Sequence, residues 1–465
     1  MTPSHEAGWA HADGALRGPS WLRAPDDVNA LVPSLWSSTC RKNDAGALEV
    51  GGVDVRELVA EHGSPAYVLD EADFRSRARA FRTAFDGYAV FYAGKAFLCT
   101  AVARWVAEER LSLDVCSDGE LTVALRAGFD PARIGYHGNN KSTADLARAV
   151  DVGVGRIVVD SFDEIDRLDA LVGDKRARVL VRVTAGVEAH THEYIATAHE
   201  DQKFGFSIAS GDALEAVRRL LDAPNVDVLG LHSHIGSQIF DTSGFEVATR
   251  RVLALHASVS QELGVELPEL GLGGGFGIAY TTQDDPADPS ELAIELTKIV
   301  EHECAALAVD VPALSIEPGR AIVGPAMCTV YEVGTVKRVE LDAGAVRTYV
   351  SVDGGMSDNI RTALYDADYS CTIASREGAN GPVLSRVVGK HCEAGDVVVR
   401  DEFLPADVRP GDLVAVPGTG AYCRSMASNY NHALRPPVVG VAGGVATVLV
   451  RRETVEDLLR TDVGA

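Results

Sequence analysis

One lysine stands where an enclosed ammonium would be costly unless the protein put it to use. Lys95 lies in Tyr92-Ala93-Gly94-Lys95-Ala96, directly after the apolar run 89–91, at the end of a strand-like segment. A lysine amine with a lowered pKa can hold a carbonyl cofactor such as pyridoxal phosphate as a Schiff base. A lone lysine at a strand end more often reaches out to water, so the argument depends on its company. Glu317, in Glu317-Pro318-Gly319-Arg320, is the carboxylate this cofactor needs. Set against the pyridine nitrogen it keeps that nitrogen protonated, and the ring can then take up the electron pair released when a bond to Cα breaks. His234, in His232-Ser233-His234-Ile235-Gly236-Ser237-Gln238, can stack on the ring. Ser237 and the N–H groups of Gly271-Leu272-Gly273-Gly274-Gly275-Phe276-Gly277 can hold its phosphate. The glycine run is not a dinucleotide fingerprint, because Phe276 stands where the third spaced glycine belongs and no acidic ribose partner is evident about 20 residues on.

Such residues need a scaffold with many strand ends. Beyond Pro65, short apolar runs alternate with amphipathic stretches, the pattern of repeated βα units. Strands are expected at 89–95, 111–117, 134–138, 156–160, 178–184, 226–235, 269–275 and 314–320, and helices at 98–109, 119–127, 142–150, 162–171, 211–221, 245–263 and 291–307. This predicts an α/β fold with a (β/α)8 TIM-like barrel, an open doubly wound sheet being the alternative. Barrel chemistry collects at the carboxyl ends of the strands. Here those ends carry Lys95, Asp114 with Ser117, His137, Arg182, His232 with His234, the glycine run, and Glu317 to Arg320.

After about Pro325 the pattern turns to β segments at 328–339, 348–352, 383–389, 397–400, 413–416 and 438–450, punctuated by Gly and Pro. The expected organisation is a flexible tail at 1–33, a segment at 34–64 that joins the β domain through the short run 47–55, a pyridoxal-phosphate-binding barrel at 65–325, and a C-terminal β domain, sandwich or barrel, at 326–465. The barrel is then an insertion between two parts of the β domain.

Composition removes whole classes of function. A formal charge of -24 over 465 residues argues against a nucleic-acid partner, which needs clustered Lys and Arg. No apolar run approaches the roughly 20 residues of a membrane span, and the first thirty residues lack the apolar core of a signal peptide, so a cytoplasmic protein is expected. The eight cysteines contain no CxxC pair, which speaks against a disulfide scaffold and a zinc site. No metal is expected.

Six motifs occur in the order seen in fold-type III pyridoxal-phosphate decarboxylases. They are the four stretches containing Lys95, His234, Gly274 and Glu317, then Cys392-Glu393-Ala394-Gly395-Asp396 and Gly418-Thr419-Gly420-Ala421-Tyr422. From about residue 35 onward the chain resembles the diaminopimelate decarboxylases of bacterial lysine synthesis, especially the actinobacterial members, which have a segment similar to His190-Thr191-His192-Glu193 through His199-Glu200-Asp201-Gln202-Lys203-Phe204-Gly205. The resemblance implies that Lys95 carries the cofactor, His234 stacks on its ring and Glu317 faces its nitrogen. Asp114, Ser237, Gly274, Gly275, the turn Glu317, Pro318, Gly319 and Arg320, and Tyr422 complete the cofactor set. Substrate falls to Arg182, Arg320, Arg361, Tyr365, Glu393 and Tyr422, and Cys392 is the proton donor. The implied reaction converts meso-diaminopimelate to L-lysine and CO2 in a homodimer with shared active sites. The roles are chemically coherent: the distal end of that substrate carries a carboxylate, which calls for Arg forks, and an ammonium, which calls for an acid such as Glu393.

Other readings remain open at this stage. They are an ornithine or arginine decarboxylase, an amino-acid racemase on the same fold, a catalytically inactive binding homologue, and a metal-dependent barrel hydrolase using His190-x-His192 and His232-x-His234. The metal reading leaves Lys95 and Glu317 unexplained.

Overall fold

The computed structural model describes residues 18–186, 203–341 and 346–464. They form two compact units: residues 75–277 with 286–322, and the remainder, which includes 278–285.

The first unit is a closed barrel of eight parallel strands: β1 (Ala89–Ala93), β2 (Ser112–Val115), β3 (Ile134–Tyr136), β4 (Arg156–Val159), β5 (Ala177–Thr184), β6 (Val226–His232), β7 (Glu269–Gly271) and β8 (Ala313–Ile316). Each pairs with the next, and β8 returns to β1 with Ser315 opposite Ala89, which closes the ring. All eight expected strands are present, and most end two to four residues earlier than their apolar runs suggest. The chain leaves the sheet early because the strand-end residues turn away to line a cavity. Helices fill the connections with clear local causes. The helix Thr143–Val152 starts in a reciprocal capping box between Ser142 and Asp145 and stops at Gly153 in the left-handed region. The helix Phe162–Val172 is capped by the Ser161 hydroxyl and buries Ile165, Leu168 and Val172 on one face.

The second unit is built on the 14-residue strand Met327–Glu340. Its first half pairs antiparallel with Ala66–Asp70 and with Leu413–Val416, its second half with Val346–Val352. Nine strands belong to this branched sheet, and the run expected at 438–450 is a hairpin, Val438–Ala442 with Val445–Val450. Two expectations need correction. The run 47–55 does not enter the large sheet: Leu48–Val50 and Val53–Asp54 make a small three-stranded sheet with Arg41–Lys42. The N-terminal strand that does enter it is Ala66–Asp70, parallel to Val438–Ala442, so the barrel begins later than residue 65. Ala66–Asp70 is buried along its whole length, and its Val68 and Leu69 contribute roughly 1.5–3 kcal/mol each by leaving water. Nor are all of residues 1–33 a loose tail, because Asn29 exchanges two hydrogen bonds with the Gly378 backbone at 3.1 and 2.7 Å. Among the described residues no helix is long and apolar enough to cross a membrane.

Candidate active site

The carboxyl ends of the barrel strands enclose a cavity of about 300 Å³, at the small end of the range for small-molecule sites. Lys95 enters it from the single turn Gly94–Ala96 that follows β1, a turn whose exit is pinned by the Tyr92 hydroxyl donating to the Phe97 carbonyl at 2.7 Å. Asp114 at the end of β2, His137 beyond β3, Arg182 on β5, His232 on β6, His234 just past it and Glu317 past β8 line the same space.

Glu317 is the electrostatic centre. Its Oε1 lies 2.7 Å from His232 Nε2 and 3.6 Å from His137 Nε2. Burial alone would raise its pKa, but His232 and His137 together hold the carboxyl well below the usual range, so it is ionised. Asp114, 3.2 Å from His137 Nε2, responds the other way: burial and the nearby Glu317 charge push it up to about 6. His234 has its Nδ1 occupied as acceptor for the Gly274 N–H at 3.2 Å. Burial, with Lys95 and Arg182 nearby, holds its pKa well below the ordinary histidine value, which makes it a neutral flat wall. Arg182 stacks on Phe204 at 4.3 Å.

The glycine run is a contact surface between loops. A Cβ on Gly274 would lie 2.3 Å from the Glu317 carbonyl oxygen, and one on Gly275, at φ +113°, would lie 2.7 Å from that of Gly236. Backbone bonds seal the junction: Glu317 N donates to Gly273 O and Ile239 N to Gly275 O, both at 2.9 Å. Ser237 is held by the Arg320 guanidinium at 2.8 Å, and Pro318 O accepts from Ala93 N at 3.2 Å. Gly319 passes the chain into the short helix Arg320–Val323. Gly274→Ala is therefore expected to cost about 1–3 kcal/mol from overpacking against backbone and to weaken cofactor binding, measurable by thermal unfolding and by titration of the apoenzyme.

The remaining candidates belong to the other unit. Arg361 opens the helix Arg361–Tyr365, is buried, donates to the Tyr369 hydroxyl at 2.6 Å and lies over the Tyr280 ring at 4.6 Å. Tyr365 is half-buried. Cys392 is exposed on the turn between Pro382–Val388 and Val397–Pro405, with Glu393 half-buried beside it. Tyr422 sits half-buried at φ +65°. Cys116, Asn139 and Phe204 line the cavity without having been expected there; for Cys116 the two-residue spacing from Asp114 was the available signal. His190, His192 and the rest of the segment through residue 202 lie outside the described residues. His232 and His234 line the same cavity but make different contacts there, with Glu317 and Gly274.

Residues 71–324 match the family described as pyridoxal-dependent decarboxylase, pyridoxal binding domain. The diaminopimelate decarboxylase of Mycobacterium tuberculosis is 54% identical over 93% of this chain and 98% of its own length. The chain belongs to the diaminopimelate decarboxylase family. The member from Bacillus methanolicus is 46% identical over 89% of this chain and 96% of its own. A crystal structure of the diaminopimelate decarboxylase from M. jannaschii in complex with L-lysine superposes with a TM-score of 0.85 at 30% identity, covering 93% of this chain and 99% of that one. As a diaminopimelate decarboxylase family member the chain is a pyridoxal-phosphate-dependent carboxy-lyase, which removes the hydrolase and inactive-homologue readings. The cavity fits that cofactor on its own terms. It offers a lysine amine, an ionised acid, a neutral imidazole wall, and an Asp114 Oδ2 without a hydrogen-bond partner among the described residues.

Proposed function

We propose that this chain removes the carboxylate at the D centre of meso-2,6-diaminopimelate, releasing CO2 and L-lysine in the last step of lysine biosynthesis. The observation that carries this is the meeting of Lys95, His234 and an ionised Glu317 in one cavity, in a chain so similar to named diaminopimelate decarboxylases. Bound pyridoxal phosphate supplies the electron sink for the pair left behind when CO2 departs. Lys95 is its attachment point, and Glu317 is the anion for its ring nitrogen. His234 gives it an uncharged wall. Asp114, Ser237, Gly274, Gly275, the turn through Pro318, Gly319 and Arg320, and Tyr422 hold the rest of it.

Specificity rests on charge at the far end of the substrate. Arg182, Arg320, Arg361, Tyr365 and Tyr422 supply cationic and hydroxyl donors for its carboxylates, and Glu393 takes the distal ammonium. The Cys392 thiol, exposed and beside Glu393, delivers the proton that replaces CO2 at Cα. We place this work in the cytoplasm and in a homodimer in which Cys392 and Glu393 of one chain serve the barrel of the other, giving two equivalent sites.

Incubation with meso-diaminopimelate, L,L-diaminopimelate, ornithine and arginine separately, followed by product analysis, tests the proposal. Lysine from the meso isomer and little turnover of the others is expected. Faster release of putrescine from ornithine would show that no distal carboxylate is read.

A further inference from the structure

Two histidines at the heart of the cavity, His232 and His137, hold neither cofactor nor substrate in the scheme above. His232 is 1% exposed, and its Nε2 lies 2.7 Å from Glu317 Oε1. Its Nδ1 has no hydrogen-bond partner among the described residues. That orphan nitrogen fixes the protonation state by elimination. A proton on Nδ1 would leave a buried N–H unsatisfied, which costs about 1–3 kcal/mol, whereas an idle lone pair costs less. His232 is therefore neutral, with its one N–H on Nε2 and donated to Glu317. Burial lowers its pKa, in the same direction.

His137 is placed differently. Its Nε2 lies between two carboxylates, 3.2 Å from Asp114 Oδ1 and 3.6 Å from Glu317 Oε1, and its ring meets that of His232 edge to face at 5.1 Å. Burial opposes protonation, but the two acids outweigh it and raise the pKa. The titratable and charged groups of this cluster and around it are Glu317, Asp114, His137, His232, His234, Arg182 and Lys95, with Cys116, Glu120 and Arg156 behind them. Among them, Glu317 Oε1 is the point where both imidazoles converge.

We infer that His232 and His137 are positioning residues that keep the Glu317 carboxylate ionised and fixed as the partner of the cofactor's ring nitrogen, His232 as a neutral donor and His137 as a cation shared with Asp114. The inference rests on Glu317 serving that nitrogen, as proposed above. It explains why two imidazoles are buried beside one acid: a carboxylate in this cavity without them would take up a proton and lose its charge at neutral pH.

The test is equilibrium titration of the apoenzyme with pyridoxal phosphate, read by absorbance across pH, for the unmutated protein and for Glu317→Gln, His232→Leu, His232→Gln and His137→Gln. His232→Leu removes the donor, so the Glu317 pKa rises and the ionised form is lost at a higher pH. Cofactor affinity should then fall tenfold or more as the pH drops from alkaline to neutral, where the unmutated protein stays flat. His232→Gln can present an amide N–H near the Nε2 position and should recover most of the loss. His137→Gln keeps a donor but loses the cation, and should move the pH dependence in the same direction as His232→Leu. A purely structural role for His232 predicts a loss that is uniform with pH and not rescued by Gln, and that result would overturn the inference. Unchanged affinity in His232→Leu, with Glu317→Gln impaired, would overturn it while leaving the assignment of Glu317 intact. If Glu317→Gln bound as the unmutated protein does, the assignment and the inference would fall together. Thermal unfolding of each apoprotein separates these effects from misfolding, and His232→Gln remains informative where His232→Leu fails to fold.

Discussion

Lys95→Ala should lower kcat/KM by at least about 10³, equivalent to roughly 4 kcal/mol of barrier, while the protein remains folded. Lys95 is the lysine among the residues lining the cavity, so its loss removes both the covalent anchor and a positioned amine that can move protons, and positioned acid–base groups alone contribute about 10²–10⁴. The fold should tolerate the change. Lys95 is exposed, on a turn whose exit is held by the Tyr92 hydroxyl. The variant should still bind pyridoxal phosphate through Glu317, His234, Ser237 and the glycine run, though more weakly. Borohydride treatment of the unmutated holoenzyme followed by peptide mapping gives the matching positive result, a reduced adduct on Lys95. An adduct on another lysine with full activity retained would remove Lys95 from its role.

The barrel was legible because each of its strands is a short apolar run bounded by an amphipathic helix, and because strand ends are where polar residues interrupt such runs. Ala89–Ala93 shows how far this goes and where it stops. The run is visible in sequence, but the departure of the chain at Gly94 depends on where Asp114 and Leu113 of the neighbouring strand stand, and no local pattern contains that. Ala66–Asp70 was missed for a related reason. Its all-buried sequence Ala-Tyr-Val-Leu-Asp does not distinguish a barrel strand from a strand of another sheet, since its partners Met327–Glu340 and Val438–Ala442 are hundreds of residues away. The helix Glu71–Ala84 does carry a readable signal: Phe74, Ala78 and Phe81 recur at helical spacing and are buried.

In the site, residue types with one obvious use were readable and residues acting through others were not. Lys95, Glu317 and the glycine run announce a cofactor by chemistry alone. His137 and His232 stand at strand ends, yet nothing in sequence states that both converge on one oxygen of Glu317. That follows from barrel closure, which brings the ends of β3 and β6 to the loop after β8. The same closure explains why Asp114 and Glu317, both raised by burial, end with opposite net shifts. The first has the Glu317 charge against it, with His137 and Arg156 only partly offsetting that, while the second has two imidazoles on one oxygen.

Mixing two inactive variants should restore activity. Lys95→Ala removes the proposed cofactor lysine of a barrel, and Cys392→Ala removes the proposed proton donor, which belongs to the other unit of the chain. With donor and barrel drawn from different chains, as proposed, a mixed dimer contains one site with both defects and one with neither. Equal mixing under conditions that allow chain exchange makes half the dimers mixed, so activity should recover to about a quarter of that of the unmutated protein. The control is each variant carried alone through the same exchange, where every site keeps its defect. The geometry of the Cys392 turn favours a clean result. Cys392 is exposed, while the backbone beside it is held by Asp396, which accepts from the N–H groups of His391 at 2.8 Å and Met356 at 2.6 Å. Removing the thiol therefore leaves the turn in place. If Cys392 served the barrel of its own chain, every site in the mixture would carry one defect or the other, and no mixing ratio would restore turnover. Absence of recovery after exchange has been verified, for example by mass-tagged chains, would refute the shared site and leave the pyridoxal-phosphate chemistry of Lys95 and Glu317 standing.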